Sequence, residues 1–133
     1  TYKSVDLMAQ HTRETNTKYD FVFMSRYDVR YFNDFDLNNL NQNKFYASHW
    51  VTDDPAKDGL LDYWFLCNQD NAIKFSQLYH HIDHLLSLDP YPSSHWLAMR
   101  RLQQIELDSK LDFIKHEKTD FNLTRRALGW TSL

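Results

Sequence analysis

YDFVFMSRYDVRYF, residues Tyr19 to Phe32, decides how the chain is read, because an apolar run, Phe21 to Met24, ends in three charges spaced two residues apart. Four consecutive apolar residues predict a strand, Asp20 to Ser25, covered on both faces and lying inside a parallel sheet with a neighbour on each side. Where the extended conformation continues, side chains alternate. Arg26, Asp28 and Arg30 then project together while Tyr27, Val29 and Tyr31 point the other way. A carboxylate flanked by two guanidiniums suits a divalent cation with phosphate, and open α/β sheets bind ligands just beyond the carboxyl ends of their strands. The plain alternative is an ion-pair ladder on a surface strand.

On the amino side, Ser4 to Thr15 carries Val5, Met8 and Thr12 at helical spacing, with Ser4 as N-cap. On the carboxyl side, Asn33 to Asn43 reads as a loop pinned to the body by Phe35, Leu37 and Leu40, and Lys44 to Ala47 as a short strand. Val51 to Gly59 is a turn, and Leu60 to Asn68 is a second apolar run that fits a buried strand. Asn71 to Leu88 predicts one long helix with Phe75, Leu78, Tyr79, Ile82, Leu85 and Leu86 on a single face, ended by Asp89-Pro90-Tyr91-Pro92. A further helix follows from Ser93 or Ser94 to about Leu107, then short strands at Lys110 to Ile114 and Phe121 to Arg125. This order predicts one α/β domain across residues 1–133, with a mixed, mainly parallel central sheet and flanking helices.

A composition of 42% hydrophobic and 16% aromatic residues is ample for a packed core in a chain of 133. Fifteen Lys plus Arg against eighteen Asp plus Glu leaves a net charge of −3, so no basic field favours nucleic acid as a partner. No apolar stretch approaches the roughly 20 residues of a membrane span, and no basic-then-apolar leader opens the sequence. The chain is expected to be soluble. Its one cysteine, Cys67, lies in an apolar run, reads as a buried, inert thiol and is compatible with a reducing, cytoplasmic compartment. With only Gly59 and Gly129, neither a P-loop nor a G-x-G-x-x-G turn is present, so a nucleotide must be held by side chains or by chain outside this sequence. The start at Thr1 is read as part of a longer protein.

His80, His81 and His84 have the spacing of metal ligands on a helix, but 80 and 84 fall opposite the apolar stripe and are read as facing water. Asp53 and Asp54 precede Pro55, where turn capping explains them. Asp58 and Asp62 bracket Gly59 and enter a buried segment. A carboxylate at such an edge is partly desolvated, the setting of a general base, although capping explains it as well. Arg100-Arg101 reads as a solvated helix face, and Arg125-Arg126 as a strand end within reach of phosphate.

Five pieces taken together, KYDFVFMSRYDVRYF, NKFYASHW, DGLLDYWFLCNQDNAIKFSQLYHHI, SSHWLAMRRLQQI and DFNLTRRA, resemble the later half of a group of GT-A-type glycosyltransferases of polysaccharide and viral glycan synthesis. The resemblance rests on their order and spacing over most of the chain. It implies transfer of a sugar from a nucleotide-sugar donor to a glycan or other acceptor. Asp28 stands at the aspartate of a D-x-D-like motif that contacts a divalent cation, Mn2+ or Mg2+, and the donor phosphates. Arg26 is close to sugar or phosphate, Asp62 occupies the acidic position near the acceptor, and Arg125 is the terminal arginine. Arg30 replaces the second motif aspartate, so a cation on Asp28 would rely on phosphates and water. In this group a nucleotide-binding βαβ portion precedes the motif strand, and here only about twenty residues do. Tyr63, Trp64, His49 and Trp50 are candidates for a sugar-ring platform, with Trp64 better placed in the core.

The rival from another class is a non-catalytic interaction or assembly domain that keeps the sheet without a nucleotide site. A metal-dependent nuclease using acidic residues near Lys115 to Lys118 is disfavoured by the absence of a basic surface.

Overall fold

Phe21 to Met24 does form a strand, but a short one at the margin of its sheet. A computed structural model describes residues 2–50, 54–89 and 93–124. Within them the order is α1 (Tyr2–Thr15), β1 (Val22–Ser25), β2 (Val29–Tyr31), β3 (Phe45–His49), α2 (Pro55–Asp58), β4 (Trp64–Cys67), α3 (Gln69–Ser76), α4 (Leu78–Leu86), α5 (Ser94–Gln104), β5 (Leu111–His116) and β6 (Phe121–Leu123). The α/β class is as expected. Four strands form a mixed sheet in the order β1-β4-β3-β5, and β2 pairs with β6 in a separate antiparallel ribbon.

The sheet is not mainly parallel. β4 pairs antiparallel with both β1 and β3, and only β3 and β5 pair in parallel. The three pairings nevertheless make β1, β3 and β5 run in one direction, with the reversed β4 inserted among them. The continuous apolar run Trp64–Cys67 has a different cause: both faces of β4 are covered. Phe65 and Cys67 pack with Met24, Phe45, Phe75 and Leu102 under the helices. Trp64 and Leu66 pack with Tyr46, Phe121 and Leu123 under the ribbon and the 33–43 loop.

The same distinction corrects the expectation for β1, which is an edge strand with one partner, β4. Met24 is buried against the helical side, whereas Phe23 is 42% exposed on the other. Phe23 rests against Tyr31, Phe35 and Trp64 at ring separations of 5.6, 5.1 and 5.7 Å. In β1 the apolar run therefore brought neither full cover on the Phe23 face nor a strand on both sides.

The long helix expected over 71–88 is two helices that meet at Gln77. Asn68 caps α3 by accepting from the Asn71 amide, and α4 packs on α5, itself capped by the Ser93 hydroxyl. Phe75 and Leu85 are buried as expected. Leu78 is only half-buried, and Ile82 and Tyr79 are 36% and 65% exposed, so the apolar face of α4 is partly open.

Gly59 sets the approach of α5 to the sheet. Its φ of +88° lies where glycine is favoured, and a Cβ there would stand 2.3 Å from the His95 carbonyl group and 2.5 Å from the Trp96 nitrogen. With no side chain in the way, the Leu60 amide donates to the His95 carbonyl at 2.9 Å. The first turn of α5 is thereby fastened beside residues 60–62.

Candidate active site

Antiparallel pairing puts the carboxyl end of β1 next to the amino end of β4. Ser25 lies opposite Trp64, and one residue further the Arg26 amide donates to the Tyr63 carbonyl at 3.1 Å. Arg26 and Asp62, distant in sequence, therefore leave neighbouring strand ends on the same side. Arg26 donates from Nε to Asp28 Oδ1 at 2.9 Å and from Nη2 to Oδ2 at 2.7 Å, while Nη1 stands 3.9 Å from Asp62 Oδ1. Its guanidinium lies over the Tyr63 ring at 5.4 Å. The Asp28 hydrogen bonds, followed by the charges of Asp28 and Asp62, raise the Arg26 pKa against the opposing effect of burial.

His95 completes the cluster. Its Nδ1 is 2.9 Å from the Leu60 carbonyl oxygen and 3.4 Å from Asp62 Oδ1. A carbonyl oxygen only accepts, so Nδ1 is the donor in this contact. The Trp50 ring packs against the imidazole at 4.8 Å.

Beneath Arg26 and Asp62 lies a cavity of about 440 Å³, walled by Phe65 and Phe75 from the core, Leu78, Tyr79 and Ile82 at α4, and Leu97 from α5. Its size is that of a small-molecule site, and its lining is largely apolar with Arg26 and Asp62 among it.

Of the residues singled out in the sequence, Arg26, Asp28 and Asp62 are brought together. The alternation invoked to align Arg26, Asp28 and Arg30 is absent: β1 stops at Ser25, and Tyr27 and Asp28 form a turn closed by the Arg26–Asp28 fork. Arg30 sits on β2 in the second sheet, opposite Asn122, exposed, with its guanidinium over the Phe32 ring at 5.7 Å. Arg125 lies outside the described residues. Trp64 is fully buried in the core. His80, His81 and His84 are exposed on α4, and His80 packs edge-on to Tyr2. Asp54 caps α2 by accepting from the Lys57 amide.

Two residues carry more than their sequence signal suggests. Nothing in the spacing marks His95, which reaches Asp62 only through the close approach at Gly59. Arg101 is not on a solvated face: it is 5% exposed and donates Nη2 to the Lys74 carbonyl at 2.6 Å, tying α5 to α3, and desolvation lowers its pKa. Its position between Ala98 and Leu102 on the buried stripe of α5 is the signal that marks it.

Among the described residues no group of three or more His, Cys, Asp or Glu side chains is placed to hold a metal. Asp28 gives both carboxylate oxygens to Arg26, so a cation there would sit against the guanidinium's charge. The residues present fit a divalent cation poorly. Among the described residues no helix is long and apolar enough to cross a membrane. Compared with family models, curated proteins and solved structures, the chain matches none.

Proposed function

We propose that this chain transfers a sugar from a nucleotide-sugar donor to a hydroxyl of a glycan or other acceptor, with Arg26 at the donor phosphates and Asp62 as the acceptor-side base. The observation that carries this is the convergence of Arg26 and Asp62 on the rim of one cavity. In an inverting displacement the acceptor hydroxyl gives its proton to the Asp62 carboxylate while its oxygen bonds the anomeric carbon. The bond from that carbon to the diphosphate oxygen breaks, and the electron pair leaves with the diphosphate, whose charge Arg26 offsets. Asp28 fixes the guanidinium plane, and His95, anchored on the Leu60 carbonyl, stands 3.4 Å from Asp62 without bonding it. Arg125 is a further donor contact in this proposal; Arg30, exposed on β2 in the second sheet, is not. Mn2+ or Mg2+ on Asp28 would meet the Arg26 charge, so the phosphate charge is assigned to the arginines.

The finer fold assignment, a GT-A-like later half, is supported by the common direction of β1, β3 and β5 and by the position of the cluster past the carboxyl end of β1. Among the described residues β1 has no strand partner besides β4, and that open edge offers backbone to the βαβ portion that precedes this strand in the group it resembles. The same open edge, with exposed Tyr79, Leu86 and Leu88, favours the second reading, a non-catalytic assembly domain.

Thermal unfolding with and without uridine or guanosine diphosphate, each with and without Mn2+, separates the two, since a ligand bound only by the native state raises the midpoint. A rise is expected with at least one nucleotide. No rise with either leaves the assembly domain as the account.

A further inference from the structure

We infer that the cavity takes the apolar body of the acceptor, so that the acceptor is an amphiphile: a hydroxylated head joined to an alkyl or aryl group. This rests on the transferase assignment of Asp62. Asp62 meets Arg26 at 3.9 Å and His95 at 3.4 Å, both longer than the 2.7–2.9 Å typical of a charge-assisted hydrogen bond. Among the described residues no hydrogen bond is donated to this half-buried carboxylate. It therefore has lone pairs to offer a ligand hydroxyl at the rim.

Most of the remaining lining is carbon, with Ser25, Ser76 and Ser94 as its aliphatic hydroxyls. The Ser25 hydroxyl is bonded to the Arg26 carbonyl and the Tyr31 hydroxyl, and the Ser76 hydroxyl donates to the Ile73 carbonyl at 2.9 Å. The apolar part of the lining includes Phe65, Phe75, Leu78, Ile82 and Leu97. A bare sugar seated there would bury hydroxyls against carbon with no partner, at a cost of about 1–3 kcal/mol for each. An alkyl or aryl group gains by the same contact. At the outer lip Tyr2 and Tyr79 stack at 5.6 Å with planes 13° apart, and Tyr79 is 65% exposed. They give the body of the ligand a flat aromatic wall on its way out. A volume of about 440 Å³ holds a group of several carbons and is larger than a single hydroxylated head requires.

The test is calorimetric titration of the protein with octyl β-D-glucopyranoside, kept below its micelle threshold, and with methyl β-D-glucopyranoside, alongside the nucleotide response. The octyl compound should bind roughly tenfold tighter or more, the gain that burying two methylenes supplies. Ile82→Asp puts a charge on the cavity wall at a site that is 36% exposed, so it should fold, checked by circular dichroism, and lose that preference. Equal binding of the two glycosides, or an octyl preference untouched in a folded Ile82→Asp protein, overturns the inference. In that case a positive nucleotide response leaves the transferase assignment standing. An octyl preference that depends on Ile82 without any nucleotide response keeps the ligand class and overturns the acceptor role.

Discussion

Arg26 grips Asp28 with two parallel hydrogen bonds across a tight turn, and the grip aims its remaining nitrogen at Asp62. The pair is partly exposed, with side chains 38% and 25% accessible, so its contribution to stability is small, about 1 kcal/mol or less. Its value lies in orientation. Asp28→Asn should unfold within about 1 kcal/mol of the parent in urea and weaken nucleoside diphosphate binding equally with and without Mn2+. A loss confined to the Mn2+ arm would instead make Asp28 the metal residue.

Gly59→Ala should be among the most damaging single-methyl changes in the chain. The new Cβ meets the backbone of His95 and Trp96, and alanine disfavours a φ of +88°. A cost of roughly 3 kcal/mol or more is expected, combining backbone strain with overpacking. Because His95 is the displaced residue, its imidazole signals in an NMR spectrum should move further than those of the exposed His84.

Within the helical layer, Leu85→Ala should cost about 2–5 kcal/mol because its side chain is 2% exposed. Leu78→Ala should cost less, since Leu78 is half-buried along the cavity, and His84→Ala almost nothing. Chemical denaturation of the three variants gives the order directly. A Leu78 variant as damaging as the Leu85 variant would mean that the cavity wall is packed shut.

Burial pushes the Cys67 thiol from its ordinary 9.0 up to about 12. The native protein should therefore resist thiol reagents at pH 8 and react fully in denaturant. The linkage has a definite sign. The contribution to stability is complete below pH 9, the unfolded value, and falls away as pH rises toward 12, because only the unfolded chain releases the proton in that window. Cys67→Ala should flatten the alkaline loss of stability between those limits.

How much of this was legible in the sequence depends on the range of the interaction. Trp64–Cys67 was visible inside Leu60 to Asn68 because local composition decides a strand buried on both faces, and the first half of Phe45–His49 was visible as the short strand Lys44 to Ala47. The resemblance named Arg26, Asp28 and Asp62 for separate roles, whereas their meeting follows from the pairing of β1 with β4, which no local pattern shows. Edge position was not legible, because Phe21 to Met24 is apolar whether its neighbours are strands or aromatic rings. Nor was the break at Gln77, where the stripe runs on in register while α4 turns onto α5. His95 was invisible because its role depends on a glycine 36 positions earlier leaving room for a helix end. Arg101 was misread because a doublet of arginines looks solvated until one of them is placed on a buried stripe.

The central claim is that Asp62 takes a proton during sugar transfer, and the direct measurement is nucleoside diphosphate release from uridine- and guanosine-diphosphate sugars, with octyl β-D-glucopyranoside as acceptor, for the parent and Asp62→Asn. The account predicts release by the parent and a loss of about 10²–10⁴-fold in the variant, with donor affinity retained. Release by the Asn variant at the parent rate, or none by the parent with any donor, would contradict it.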